Sequence, residues 1–282
     1  MIPAYLQPVS NIIARIFFGI GIMGIGIQHF IYSTFRPVIL PSWPQWIQTP
    51  VLVYLIGAAI VAAGVFILLG RSTKTISLLL GSFLLFCLVF IQCPFILFIQ
   101  PNAAAHLGLW TDPLKELALS GGAFVMAGLS GKSTHKHFFL TPTEKLIPLG
   151  KFFFSTTLLL FGIDHFFYPE FVATLVPAWV PDHTFWTYLA GVALIGTGTA
   201  IILKIKRRKI ALLASAMLFL WLVLLHIPRA MADPYGARGN EITSVFEALA
   251  FSGIALGIAI MRKPIKNNTI VTVTSTKTIA VN

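Results

Sequence analysis

The chain has 282 residues, of which 57% are hydrophobic and only 10% are charged, and its formal net charge is +11. Soluble domains carry about a quarter charged residues, so this composition excludes an ordinary soluble protein. The basic residues lie between long apolar stretches, a distribution that argues against a nucleic-acid-binding protein despite the net positive charge.

Apolar stretches of about 20 residues, the length that crosses a bilayer core, recur along the chain. They predict eight transmembrane helices, at 10–32, 50–69, 75–98, 113–130, 147–168, 184–203, 210–230 and 244–261. The first stretch lacks a basic segment before it and a cleavage site after it, and is predicted to be a retained helix. Asp112 and Pro113 are expected to begin the fourth helix as N-cap and first helical residue. Ser244 and Glu247 are expected to form a capping box on the eighth.

The second half of the sequence repeats the first. The corresponding pairs are Gly26/Gly162, His29/His165, Tyr32/Tyr168, Pro41/Pro177, Trp43/Trp179, Gly57/Gly191, Gly64/Gly198, Gln92/His226, Pro94/Pro228, Glu116/Glu247 and Gly122/Gly253. A match of this extent predicts an internal duplication. The predicted fold is an all-α polytopic membrane protein with eight transmembrane helices in two tandem four-helix units. The units span 1–132 and 147–263, with a cytoplasmic linker at 133–146 and a disordered cytoplasmic tail at 264–282.

The distribution of lysine and arginine predicts the orientation. Basic residues concentrate in the 70–75 turn, the 131–146 loop, the 204–209 turn and the C-terminal segment, which share one side of the membrane if eight helices are counted. The other side has only Arg36, Lys115, Arg229 and Arg238. The positive-inside rule therefore places both termini in the cytoplasm. Both units enter in the same sense, as a parallel repeat about an axis along the membrane normal.

Polar residues converge near the outward ends of the predicted helices. The candidate ligand-binding residues are His29, Gln92, Glu116, Asp164, His165, His226, Arg229 and Glu247. Polar groups inside a membrane usually face the bundle interior or a cavity. A structural interpretation is also open: the histidines would join helices by hydrogen bonds, and the glutamates would complement helix dipoles. Trp43, Trp46, Trp179 and Trp186 fit either an interfacial belt or a binding lid.

The two units differ where proton chemistry would matter. Gln28 and Gln92 of the first unit correspond to Asp164 and His226 of the second. An amide cannot exchange protons near neutral pH, whereas imidazole and carboxylate groups can. Any proton-coupled site is predicted in the second unit, among Asp164, His165, His226 and Glu247. Arg229 is placed to hold an anionic group or to pair with Glu247, and plain divergence after duplication remains the alternative.

Several motifs resemble the DoxX family of bacterial membrane proteins. They are the Gly-Ile-x-His-Phe element, the Pro-x-Trp loop, the Tyr-Leu-x-Gly helix and the segment from Trp110 to Ala118. The chain is similar to two fused DoxX-like units over roughly 10–130 and 147–261, although Glu241 and Ile242 stand in place of Trp110 and Thr111. Some members are named for the DoxD subunit of a thiosulfate:quinone oxidoreductase. The resemblance implies a multi-pass protein of the bacterial inner membrane and quinone-linked redox chemistry.

The first functional hypothesis is a small-molecule-binding or quinone-binding subunit of a membrane redox system. His165 and His226 would donate to a ligand carbonyl, and Glu247 would move the proton. Its cofactor would be a quinone, and its partners the lipid bilayer and a redox subunit. The alternatives are a small-molecule transporter with a path between the units and a structural or assembly protein. The sequence leaves open whether the protein is an enzyme, and it contains no Walker, dinucleotide-binding or zincin motif, so no metal site is expected.

Overall fold

The computed structural model describes residues 4–41, 49–130 and 141–261. These ranges are helical and contain no strand. The long helices are α1 (Gln7–Tyr32), α2 (Pro50–Leu69), α3 (Thr73–Ile99), α4 (Thr111–Leu129), α5 (Gly150–Phe167), α6 (His183–Ile202), α7 (Arg207–Ala232) and α8 (Asn240–Ile260). Short helical turns lie at Ala4–Leu6, Pro101–Ala103, Leu107–Trp110, Thr141–Glu144, Ile147–Leu149, Pro169–Ala173 and Gly236–Arg238. Trp43, Trp46, most of the predicted linker and the predicted tail lie outside the described residues.

Seven helices of the described chain are long and apolar enough to cross a membrane. The remaining long helix is α4, whose first two turns carry Asp112, Lys115 and Glu116. From Pro113 onward its side chains are nevertheless almost all buried, because α3, α5 and α8 pack around it. A helix shielded in this way can carry more polar residues than one that faces lipid.

The predicted starts of α4 and α8 are wrong in detail. Helix α4 already begins at Thr111, so Asp112 and Pro113 lie inside its first turn and Asp112 caps nothing. Helix α8 begins at Asn240, directly after Gly239, whose φ of 73° is readily adopted by glycine. The Ser244 hydroxyl donates to the Asn240 carbonyl at 3.2 Å, and there is no capping box. In both cases a preceding helical turn moves the start of the helix upstream.

Two helix pairs pack closely through glycine, α1 with α2 and α5 with α6. A Cβ added at Gly57 would lie 2.7 Å from the Cβ of His29, and one at Gly191 would lie 2.9 Å from the Cβ of His165. A Cβ added at Gly198 would lie 2.5 Å from the Ser155 carbonyl oxygen of α5. Glycine at these positions lets two helix backbones meet without intervening side chains.

The centre of the bundle is formed by α4 and α8, which contact each other. Helix α8 also packs against α1 and α7, and α4 against α3 and α5. The first long helix of each half of the chain therefore lies against the last long helix of the other half. Glycines allow both interfaces to be close. A Cβ added at Gly253 would lie 2.8 Å from the Ala14 carbonyl oxygen, and one added at Gly121 would lie 2.5 Å from the Gly150 carbonyl oxygen.

The two ends of the bundle differ in charge. One end, called the acidic end below, contains the last residues of α1, α3, α5 and α7 and the first residues of α2, α4, α6 and α8. Every acidic residue of the chain except Glu144 lies there. Of the basic residues in the described ranges, only Arg36, Lys115, Arg229 and Arg238 belong to that end. At the opposite, basic end Glu144 is paired with Lys74 at 2.8 Å.

Candidate functional site at the acidic end

The segment after α1 folds back into the bundle. Its side chains at Phe35, Arg36, Val38, Ile39 and Leu40 are all buried. The amides of Ile39 and Leu40 both donate to the Arg36 carbonyl, which makes a tight helical turn. Gln92 at the end of α3 donates to the Pro37 carbonyl at 2.7 Å, so this candidate residue holds the segment in place.

Arg36 is the largest fully buried side chain of the described chain, with 1% of its surface exposed. Its guanidinium donates to the Arg238 carbonyl at 2.8 Å and to the Thr243 hydroxyl at 2.9 Å. Thr243 in turn donates to Oε1 of Gln28 at 2.6 Å, and the ring of Tyr32 lies under the guanidinium at 4.9 Å. Burial lowers the pKa of Arg36, but guanidinium remains charged at any physiological pH.

From the sequence alone, Arg36 is only one of the few basic residues on the less basic side. The available signal was a single arginine beside a proline in a short apolar segment between two predicted helices. A charge in such surroundings needs internal partners, but sequence spacing does not identify partners as distant along the chain as Arg238 and Thr243.

His29 and His165 make the same contact with their own helices and differ in the second ring nitrogen. Nδ1 lies 3.1 Å from the Ile25 carbonyl in His29 and 2.7 Å from the Phe161 carbonyl in His165. Nε2 of His29 accepts the Arg36 amide at 3.4 Å, whereas Nε2 of His165 has no partner among the described residues. Both ring nitrogens of His29 thus have partners within the protein, whereas Nε2 of His165 has none among the described residues.

A buried ion pair joins the two central helices. Nζ of Lys115 on α4 lies 3.1 Å from Oε2 of Glu247 on α8 and 3.4 Å from Oδ1 of Asp112. The predicted alternative that Arg229 pairs with Glu247 is wrong. Arg229 makes a two-pronged ion pair with Glu241, at 3.0 and 2.6 Å. Glu241 lies in the first turn of α8, close to the end of α7, while Glu247 is turned toward α4.

Several buried polar atoms at the acidic end have no partner among the described residues. They include both carboxyl oxygens of Glu116, Oε1 of Glu247, Nδ1 of His226 and Oδ1 of Asp164. His226 lies within electrostatic range of Lys115, Glu241 and Arg229. We call Asp112, Lys115, Glu116, His226 and Glu247 the central polar cluster. Groups of this kind are rare in folded proteins, because each one left unpaired costs about 1–3 kcal/mol.

Asp164 and His165 stand apart from that cluster. The titratable neighbour of Asp164 is His106, whose ring stacks on Tyr168 with the ring centroids 4.8 Å apart. Within the described ranges no hydrogen bond or ion pair connects Asp164 or His165 with His226 or Glu247. The residues predicted as one proton-coupled site of the second unit therefore fall into two places, at the ends of α5 and α7.

Two further observations concern other ligand types. Across the described residues, no group of three or more His, Cys, Asp or Glu side chains is arranged to hold a metal ion. Cys87 and Cys93 are free thiols on α3, and Cys87 is buried. The exposed Trp179 and Trp186 lie at the acidic end, at the level where an interfacial belt is expected.

Comparison with known protein families finds a match over part of the chain. Residues 154–248 match a family described as a domain of unknown function, DUF8561. The matched range covers most of α5, all of α6 and α7 and the beginning of α8, and it includes His226, Arg229 and Glu247. No curated protein and no solved structure matches the chain.

Proposed function

We propose that this protein binds a small molecule of the quinone class in the central polar cluster at the acidic end. The observation that carries the proposal is the group of buried polar atoms there that have no partner in the described part of the chain, Nδ1 of His226 above all. A ligand with carbonyl oxygens would accept from such a donor, and a flat apolar ring would reach it from the lipid phase. The motifs that resemble the DoxX family support the quinone class in particular.

We also propose that all eight long helices cross the membrane. Helix α4 has 19 residues, close to the length of α2 and α6, which have 20. It runs antiparallel to α5, since Gly121 lies beside Gly150 and Thr157 donates to the Leu114 carbonyl. Its lower apolarity is explained by its central position, where other helices shield it from lipid.

Matching contacts support an internal duplication of a four-helix unit. The Gly57–His29 contact has its counterpart in Gly191–His165. Ser120 donates to the Gly81 carbonyl on α3 at 2.8 Å. Ser252 likewise donates to the Ser215 carbonyl on α7 at 2.9 Å. Both third helices contain a π-helical turn in the same place, Leu88–Gln92 and Leu222–His226.

These contacts also suggest how the duplicated units are related. They align Ser120 with Ser252 and Gly121 with Gly253, one residue away from the sequence pairing of Glu116 with Glu247 and Gly122 with Gly253. In this register Lys115 is the counterpart of Glu247. Two equivalent positions on the central helices would then hold opposite charges and pair with each other. The packing of α1 on α8 and of α5 on α4 means that the units exchange helices instead of forming two separate bundles.

The charge difference between the ends supports an orientation in which the basic end is cytoplasmic. The acidic end would then face outward, with the central polar cluster in the outer leaflet and both termini in the cytoplasm. In keeping with the DoxX resemblance, the membrane would be the bacterial inner membrane.

A binding titration tests the proposed function. Decyl-ubiquinone would be titrated into the full-length protein in lipid nanodiscs, with His226→Leu and Gln92→Leu as a matched pair at corresponding positions. Loss of one ligand hydrogen bond, worth about 1.4 kcal/mol, predicts about tenfold weaker binding in His226→Leu. Gln92→Leu, which removes only the bond to Pro37, should keep near-normal affinity. Equal losses in both variants, or a loss confined to Gln92→Leu, would contradict the proposal.

A further inference from the structure

Glu116 occupies an unusual environment on α4. None of its surface is exposed, and neither carboxyl oxygen has a hydrogen-bond partner among the described residues. It faces the part of α3 where Cys87 and Cys93 flank a π-helical turn, since both thiols lie within its electrostatic range. Pro94 and a second π-helical turn, Phe95–Ile99, follow there, so the α3 backbone is irregular beside this carboxyl.

The charges around Glu116 balance without it. Asp112 and Glu247 provide two negative charges, and Lys115, which contacts both, provides one positive charge. Arg36 lies within electrostatic range of the same two carboxylates and provides the second positive charge. Consecutive helical residues point about 100° apart, and the Lys115 ammonium accordingly contacts Asp112 and Glu247 instead of its neighbour Glu116.

An ionised Glu116 would add a third negative charge without a cation at contact distance. No lysine, arginine or histidine within the described ranges contacts its carboxyl, and the titratable groups that face it are Asp112 of its own helix and the two thiols of α3. Burial of an unpaired carboxylate is so costly that such a group takes up a proton instead. A protonated Glu116 carries no charge, so the charges of Asp112, Glu247, Lys115 and Arg36 still add up to zero.

We propose that Glu116 is a proton-binding site, which holds a proton as a neutral carboxylic acid and releases it when the other members of the central polar cluster lose negative charge or gain positive charge. Release leaves a carboxylate on Glu116 and transfers one proton to an acceptor at the central polar cluster. The identity of that acceptor as a bound ligand rests on the proposed function, whereas the protonated resting state does not. In this arrangement Glu247 is a fixed charge held by Lys115, and Glu116 takes the proton-carrying role that the sequence suggested for Glu247.

Carbodiimide labelling tests the protonated state directly. Dicyclohexylcarbodiimide is apolar, partitions into membranes and adds whole to a protonated carboxyl group, so that the acid proton is retained in the adduct and no atom leaves. We expect the full-length protein in native membranes at neutral pH to carry the adduct on Glu116, located by peptide mass spectrometry. The internal control is Glu144, which is paired with Lys74 at the basic end and should react at least about tenfold less. An unmodified Glu116 in protein that is modified elsewhere would overturn the inference.

Infrared spectroscopy supplies a second measurement that does not depend on reagent access. The wild-type protein should show the C=O stretch of a protonated carboxylic acid, and Glu116→Gln should lose it while remaining folded, because glutamine has the shape of the neutral acid. Glu144→Gln should leave that band unchanged. A band of equal intensity in wild type and Glu116→Gln would overturn the inference. Neither readout requires a quinone, so a failed quinone titration and a failed labelling experiment have separate meanings.

Discussion

At the scale of single residues, Arg36 shows how one buried charge holds two distant segments together. Its guanidinium links the segment after α1 with the turn before α8, through the Arg238 carbonyl, and with the first turn of α8, through the Thr243 hydroxyl. No acidic residue pairs with it directly among the described residues, so hydrogen bonds and the face of Tyr32 replace an ion pair. This polar contact therefore joins the first and second halves of the chain at the acidic end of the bundle.

Replacement of Arg36 by methionine should destabilise the protein. Two hydrogen bonds to a charged group are lost, and the Arg238 carbonyl loses its buried donor, at a cost of about 3 kcal/mol. Thermal unfolding in mild detergent would show this as a lower midpoint. The control is Arg71→Met in the exposed turn at the basic end, which should shift stability by less than about 0.5 kcal/mol. Equal midpoints for the two variants would show that the Arg36 contacts contribute nothing.

The ion pair between Lys115 and Glu247 makes a different prediction. Removal of one partner leaves the other charge buried, so Lys115→Met or Glu247→Leu alone should cost about 3 kcal/mol. Removal of both charges together should cost less than either single change, because no unpaired charge remains. The same unfolding assay on both single variants and the double variant checks this. A double variant whose loss equals the sum of the single losses would contradict a direct pairing.

At the scale of helices, the sequence predicts where each helix lies along the chain better than it predicts which residues of different helices contact each other. Long apolar stretches mark the helices, and proline and glycine mark their ends. Helix α2, which begins at Pro50 and ends before Gly70, has the predicted bounds. The start of α8 was misplaced because the turn Gly236–Arg238 and the glycine conformation at Gly239 are tertiary features. The pairing of Arg229 with Glu241 also depends on how α7 leads into α8, which hydropathy does not encode.

The candidate site divides in the same way. Spacing correctly brought His226, Glu116 and Glu247 to one end of the bundle, because alternating helices return to the same side of a membrane. It did not separate Asp164 from His226, since the chain order of α5 and α7 carries no information about their distance. It also missed Lys115 as the partner of Glu247, because that contact joins the two halves of the chain.

Helix α6 provides a matched test of glycine packing. Gly198 faces the α5 backbone, whereas nothing lies within 4 Å of a Cβ constructed at Gly196 on the same helix. Gly198→Ala should therefore lower the unfolding midpoint, because the added methyl group meets the Ser155 carbonyl. Gly196→Ala should raise it, since alanine is favoured over glycine in a helix interior by about 1 kcal/mol. Similar shifts in both variants would argue against a close α5–α6 interface in solution.

At the scale of the whole molecule, the unequal charge of the two ends predicts the orientation in the membrane. In a variant without native cysteines, a thiol introduced at Asp182 should react with an impermeant maleimide added to intact cells. A thiol at Lys206, in the turn between α6 and α7, should react only after the membrane is opened. Labelling of Lys206→Cys but not of Asp182→Cys in intact cells would reverse the proposed orientation.

The exchange of helices between the halves gives the molecule one central interface instead of two separate cores. Helices α4 and α8 form this interface, and their polar first turns lie in the place where both halves contribute side chains. A ligand bound there would contact both halves. Lys115 of α4 and Glu247 of α8 pair across this interface, so that opposite charges from the two halves of the chain meet there.

The proposed function requires that the central polar cluster at the acidic end holds a quinone-like molecule. The most direct measurement is mass spectrometry of the organic extract from protein purified in mild detergent, with His226→Leu and Gln92→Leu prepared in parallel. We expect a quinone in the wild-type extract in roughly one-to-one ratio with protein, retained in Gln92→Leu and strongly reduced in His226→Leu. A quinone content in wild type no higher than that of an unrelated membrane protein from the same cells would contradict the claim.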